Sequence, residues 1–216
     1  MPDPALGLQS HMDAHRNAQP DAHRDAQPDA HPLSATWRHG LSIVNLRGAA
    51  DDAGFAAAAQ QALGLALPLA PCSTRAGAAA AGGATHDRAV ERIVWAGPDD
   101  WFIVAAAGQA GAIEHDLRAS LTGLHHAVTD VSSGYSVLRL SGRPVREVLA
   151  QGCPLDLHAR AFGVGQSAGS HFFKASVWLW QTDAAPQFEL LVRRSFTGYV
   201  RLMLQRCTLE CGLVED

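Results

Sequence analysis

No run of about 18 consecutive apolar residues occurs anywhere in the chain, so no segment reads as a membrane-crossing helix. A basic stripe is also missing. Seventeen lysines and arginines stand against 21 aspartates and glutamates, for a formal charge of −4. Without a cluster of positive charge there is no footprint for phosphate backbones or anionic lipid. Nucleic acid and membrane are therefore excluded as main partners. Cysteine is scarce: Cys72, Cys153, Cys207 and Cys211 form neither a disulfide framework nor a metal-ligand spacing. The polar, proline-rich start lacks the basic-then-apolar pattern of a secretory signal. A reducing, cytoplasmic setting is the expectation. No Gly-x-Ser-x-Gly elbow is present, which removes the commonest serine-nucleophile signature.

What is there suits an ordinary globular protein of one or two small domains: 216 residues, 47% hydrophobic and 18% charged. The charge is uneven. Residues 1–32 carry five aspartates against two arginines, −3, which leaves −1 for the rest. The same segment repeats an eight-residue unit, Asp13 to Pro20 and Asp21 to Pro28, then begins a third at Asp29. With so few large apolar side chains, nothing offsets the entropy of ordering it. Residues 1–34 are read as a disordered tail. Its histidines (His15, His23, His31) recur every eighth residue and are read as solvated.

Order is expected to begin near Trp37. Leu41–Leu46 reads as a strand and Ala49–Leu65 as a helix, with Phe55, Ala59 and Leu63 at helical spacing and Gly64 as the stop. Residues 76–84, all alanine or glycine, read as a loop. Val90–Trp95 and Trp101–Ala105 flank Gly97-Pro-Asp-Asp100, a hairpin turn. Gln109–Thr122 is an amphipathic helix. In Val128–Leu157, Ser132-Ser-Gly134 breaks the chain. Tyr135–Leu140 then alternates, with Leu138 and Leu140 on one face and Tyr135, Val137 and Arg139 on the other. Val145, Val148 and Leu149 give a short helix one apolar side, and Gly152 is read as its stop. Strands follow at 170–173, 176–181 and 188–192. A last helix runs from Ser195, taken as its N-cap, to about Cys211, with Gly212 after it. Hairpins rather than repeated strand–helix–strand units indicate α+β with mainly antiparallel sheets. Two small sheet-plus-helix units, 35–124 and 125–216, suit the length.

Tested for chemistry, the residues stay quiet. Gly163-Val-Gly165-Gln-Ser-Ala168 matches a dinucleotide fingerprint in letters, but a strand-like run follows where a helix is required. His125 and His126 are adjacent, so on a strand they face opposite ways. Cys207 and Cys211 extend an apolar stripe with Phe196, Val200 and Met203 and read as small core hydrophobes. Asp99 and Asp100 read as solvated turn residues. Trp178 and Trp180 share one face of a strand whose other face carries Val177 and Leu179. Such a strand is sandwiched inside the domain or turned toward a partner, so both tryptophans are candidate interface residues.

Taken together, several segments resemble the gamma subunit of heterotetrameric sarcosine oxidase. They are Leu67-Pro68, Trp95-Ala-Gly-Pro-Asp-Asp-Trp-Phe-Ile-Val104, Asp130-Val-Ser132, Leu138-Arg-Leu-Ser-Gly142, Gly152-Cys-Pro-Leu-Asp-Leu157 and Leu191-Val-Arg-Arg-Ser-Phe196. The resemblance spans most of 41–205; the tail and the alanine–glycine loop lie outside it. It implies a fold related to the folate-binding aminomethyltransferase, or glycine cleavage T-protein. It also implies alpha, beta and delta subunits as partners, in a complex that oxidises sarcosine to glycine. The one-carbon unit passes to tetrahydrofolate or leaves as formaldehyde, with hydrogen peroxide as the other product. FAD, FMN, NAD and zinc are then expected in the other subunits, with no cofactor, metal or catalytic residue in this chain. By the same register Asp156 falls where an aminomethyltransferase has its folate-site aspartate. The paired glycines and paired aspartates expected after it are absent, so Asp156 is expected to be a structural vestige. The other reading open at this point is a stand-alone folate-binding aminomethyltransferase-like protein.

Overall fold

Two-residue periodicity dominates this chain, and the computed structural model, which describes residues 32–77 and 90–215, turns that periodicity into layers. The described strands are β1 (Leu33–Arg38), β2 (Ser42–Gly48), β3 (Thr74–Ala76), β4 (Val90–Gly97), β5 (Asp100–Ala105), β6 (His126–Asp130), β7 (Tyr135–Ser141), β8 (Ser167–Phe172), β9 (Ala175–Asp183), β10 (Gln187–Arg193) and β11 (Leu213–Glu215). The helices are α1 (Ala53–Leu63), α2 (Ala110–Ser120), α3 (Val145–Ala150) and α4 (Thr197–Cys207). One sheet has the order β11-β1-β7-β10-β9-β8 and the other β3-β4-β5-β2-β6. Every neighbouring pair is antiparallel except β1 with β11. Among the described residues, no helix is long and apolar enough to cross a membrane.

Alternation sorts the side chains into three cores. Val44, Leu46, Trp101 and Ile103 pack with Phe55 and Ala59 of α1 and Ile113 and Leu117 of α2. The opposite-face residues Ile43, Phe102 and Val104 meet Tyr135, Val137, Trp180 and Leu191 of the other sheet. Beyond that sheet, Leu138, Leu140, Val177, Leu179, Phe188 and Leu190 pack with Val148 of α3 and Val200 and Leu204 of α4. The result is four layers, helix–sheet–sheet–helix. It explains why the inner strands are apolar on both faces: each sheet is covered on one side by helices and on the other by its neighbour.

The sheets exchange strands across the boundary expected at residue 125. β1 lies beside β7, and β6 pairs with β2. Ordered chain also starts earlier than expected, since Leu33 is fully buried. It pairs with Leu213 of β11, a strand that the sequence did not announce. The tail before residue 32, with its three histidines, and most of the alanine–glycine loop lie outside the described residues.

Local chemistry accounts for the helix ends. Asp52 caps α1 by accepting from the Gly54 and Phe55 N–H groups, and Gly64 closes it at φ 68°. α4 differs from expectation. It begins at Thr197 after a 3-10 turn over Arg194–Phe196 and has no side-chain cap, so Ser195 is not its N-cap. It ends at Cys207, where the Thr208 hydroxyl donates to the Leu204 carbonyl at 2.8 Å. Gly152 does not close α3 by a left-handed turn either. A Cβ there would lie 2.5 Å from the Phe173 ring, so glycine is required for close packing.

Polar side chains fasten the signature segments. The Asp99 carboxylate accepts from the Ala50 N–H at 2.7 Å and Asp100 accepts from the Asn45 amide at 2.6 Å. Both therefore tie the hairpin to β2 and the turn after it, where solvated residues were expected. At the outer edge of β6, Glu114 accepts from the Asp130 N–H at 2.8 Å and Arg118 donates to the Val128 carbonyl at 2.7 Å. These contacts occupy edge groups that could otherwise pair with another chain. Arg146 of α3 donates to the Leu157 carbonyl, to the Phe162 carbonyl at 3.2 Å and to the Gln181 side chain at 2.9 Å. Its guanidinium also lies over the Phe188 ring, 5.0 Å from the centroid. Arg146 thus clamps the Gly152–Leu157 turn to the sheet. Arg146→Ala should cost about 2–3 kcal/mol in urea unfolding, because three hydrogen bonds from a charged donor are lost at a half-buried site.

Candidate functional site

Strands of both sheets converge on a cavity of about 350 Å³ between them. Arg38 comes from β1, Glu91 and Arg92 from β4, Arg139 from β7 and Glu189 from β10, with Thr182 of β9 nearby. Glu189 is the hub and is 3% exposed. Its Oε1 accepts from Arg38 at 3.1 Å and from two nitrogens of Arg139, at 3.1 and 2.8 Å. Its Oε2 accepts from the Trp180 indole N–H at 3.0 Å. Arg38 also pairs with Glu91 at 2.8 Å. Burial alone would lower the Arg38 pKa, yet Glu189 and Glu91 together hold it above its ordinary value. At Arg92 burial wins. Its pKa is lowered despite the same two glutamates, with Arg139 and Arg38 adding repulsion. The lining offers fixed hydrogen-bond donors and carboxylates already engaged by guanidinium groups, which is chemistry for holding a ligand.

A second cavity, about 360 Å³, lies beyond Arg38 and is bounded by Leu41, Ser132, Tyr135 and Arg194. Here the Asp130-Val-Ser132 segment is consumed internally. The Ser132 Oγ accepts from the Ile43 N–H at 2.9 Å and donates to Asp130 at 2.5 Å. Arg194 donates to the Ser133 carbonyl at 2.8 Å. The segment acts as a brace between the sheets.

The residues singled out from the sequence do not gather at either cavity. Asp156 is exposed, and its carboxylate accepts from the His158 N–H at 3.0 Å, closing its own turn. It lines neither of these two cavities. Trp180 is 0% exposed within the chain, so the sandwiched alternative holds for it and a partner surface does not. Its neighbour Trp178 is half-buried, donates to the Ala96 carbonyl at 3.4 Å and meets the Phe102 ring edge-on. The Gly163–Ala168 stretch leads into β8, confirming that no helix follows the false fingerprint. Cys207 and Cys211 pack at the border of the α4 core, and burial pushes the Cys207 thiol up. No group of three potential metal ligands occurs among the described residues. Sequence reasoning missed the arginine–glutamate cluster. Its one visible sign was Glu189, a charge inside the apolar run of β10.

The family described as "Sarcosine oxidase, gamma subunit family" matches residues 47–210. Sarcosine oxidase subunit gamma of an Arthrobacter species is 40% identical over 156 residues, 72% of this chain and 70% of that one. The subunit from Corynebacterium sp. (strain U-96) is 33% identical over 156 residues, covering 72% of this chain and 69% of its own length. A chain of the heterotetrameric sarcosine oxidase of Corynebacterium sp. U-96 superposes with a TM-score of 0.72 at 26% identity, covering 87% of this chain and 91% of that one. The glycine cleavage aminomethyltransferase T of Bartonella henselae gives a TM-score of 0.59 at 14% identity, over 85% of this chain and 47% of its own, a likeness of fold alone. With the matched segment spanning most of the chain, from the end of β2 through α4, the chain belongs to the sarcosine oxidase gamma subunit family.

Proposed function

We propose that this chain serves as the non-catalytic gamma subunit of a heterotetrameric sarcosine oxidase, with a structural role toward the larger flavoprotein subunits. The observation that carries the reading is the superposition on a chain of such an oxidase over 91% of that chain's length, at a TM-score of 0.72. The assembly would demethylate sarcosine oxidatively to glycine. The flavins, nicotinamide cofactor and zinc would sit in the alpha, beta and delta subunits, in the cytoplasm. Tetrahydrofolate would be a co-substrate of the assembly. The engagement of Asp156 in its own turn supports a structural vestige.

Co-expression with alpha, beta and delta subunits followed by size-exclusion chromatography tests this. The expected result is co-elution with sarcosine-oxidising activity, since obligate interfaces are not populated as free subunits. Elution of the chain by itself at 22.9 kDa, beside a fully active oxidase, would overturn the proposal.

A further inference from the structure

Among the described residues, the inter-sheet cavity holds one buried guanidinium that no carboxylate pairs. Three guanidinium groups, those of Arg38, Arg92 and Arg139, line it, with the carboxylates of Glu91 and Glu189 opposite. Asp183 also borders it, but its carboxylate is exposed and accepts from the Ala185 N–H at 2.9 Å, in the turn after β9. Arg38 spans both glutamates, and Arg139 places two nitrogens on Glu189. Arg92 is left over. It is only 7% exposed, yet its hydrogen bond is to the Thr74 hydroxyl, at 3.1 Å. Among the described residues no carboxylate lies within ion-pair distance of it.

A guanidinium presents five donors in a planar fork that matches the two oxygens of a carboxylate. Burying one with a single neutral partner is costly. One guanidinium without an ion pair among the described residues sets the ligand as a monoanion, and its planar fork, with one nitrogen on Thr74, matches a carboxylate. A volume of about 350 Å³ leaves room for a small organic acid, since each water occupies about 30 Å³. We propose that this cavity binds a small free monocarboxylate, with Arg92 as its principal donor. The glutamates act in this arrangement as positioning residues, holding Arg38 and Arg139 against the walls.

The test uses the full chain, titrated with sodium acetate by calorimetry, with sodium chloride as the matched-ionic-strength control. Acetate should bind saturably at one site with a Kd on the order of 1 mM, and chloride should not compete at equal concentration. Arg92→Gln should weaken acetate about tenfold or more, whereas Arg92→Lys should lose less, because the charge remains and only the fork is gone. Arg201→Gln, on the exposed face of α4, should bind like the parent. If Arg92→Gln does not fold, Arg139→Gln carries the comparison, with an expected weakening of about threefold. An unsaturable acetate response, or a folded Arg92→Gln and an Arg139→Gln that both bind like the parent, would overturn the proposal. So would loss of acetate binding on assembly with the other subunits, which would assign the cavity to a partner's carboxylate side chain. That outcome is distinct from failure of the subunit reading, which is read by co-elution alone.

Discussion

Glu189→Ala should lower the unfolding free energy by about 3–5 kcal/mol, because it strands Arg139 and takes one of two carboxylates from Arg38 around a buried hole. The carboxylate is almost fully enclosed and accepts from Arg38, Arg139 and the Trp180 indole. Its removal therefore leaves the Arg139 guanidinium without that partner, Arg38 with Glu91 alone and an indole N–H without an acceptor. Equilibrium urea denaturation measures the loss, and an unchanged slope would place the effect in stability rather than in the compactness of either state. Glu189→Gln keeps the volume and one acceptor, so it should fall between the parent and alanine. The exposed Arg201–Glu215 pair provides the contrast. Arg201→Ala should leave the midpoint essentially unmoved, since solvent screens that pair. Were Glu189→Ala equally silent, the cluster would have to be hydrated and of little account.

Trp101→Ala should be as damaging, by about 3–5 kcal/mol, the range for deleting a buried large aromatic. Trp101 is 0% exposed, stacks on Phe55 of α1 at 5.9 Å and donates its indole N–H to the Pro68 carbonyl at 2.9 Å. The side chain thus joins three segments: the hairpin after Gly97, helix α1 and the Leu67-Pro68 stretch. A loss of that size should lower Tm by roughly 10 °C in a chain of this length. Trp101→Phe separates the parts. It keeps most of the stacking but leaves the Pro68 carbonyl unpaired, and should cost about 1–3 kcal/mol. If alanine and phenylalanine were equally destabilising, the indole hydrogen bond rather than ring volume would be the main contribution.

The Trp101 contacts also explain why Leu67-Pro68 and the tryptophan-flanked hairpin belong to one recognisable pattern. Separated by more than thirty residues, they meet through one indole. Val128–Leu157 has a comparable explanation. It supplies the edge strand of one sheet, an inner strand of the other, the Ser132 brace between them and the helix that carries Arg146. Its density of turns and short elements reflects a crossing between layers.

Alternation in β7 was enough to place Leu138 and Leu140 on one face and Tyr135 and Val137 on the other, and helical spacing was enough to put Phe55, Ala59 and Leu63 inside. Such periodicities are local, because side-chain direction follows from backbone geometry within a few residues. They determined the α+β class, the antiparallel hairpins and, with the quoted segments, the resemblance that the family match supports. Only the tertiary structure decided which sheet each strand joins. β1 and β11 are short and weakly alternating, and their pairing depends on partners far along the chain. It likewise decided that Trp180 faces inward and that Arg38, Arg92, Arg139, Glu91 and Glu189 share one cavity. Those charges come from four strands, and no spacing rule links one strand's charges to another's. Their meeting is a consequence of sheet stacking, which is fixed by the sum of burial over two faces rather than by any one segment.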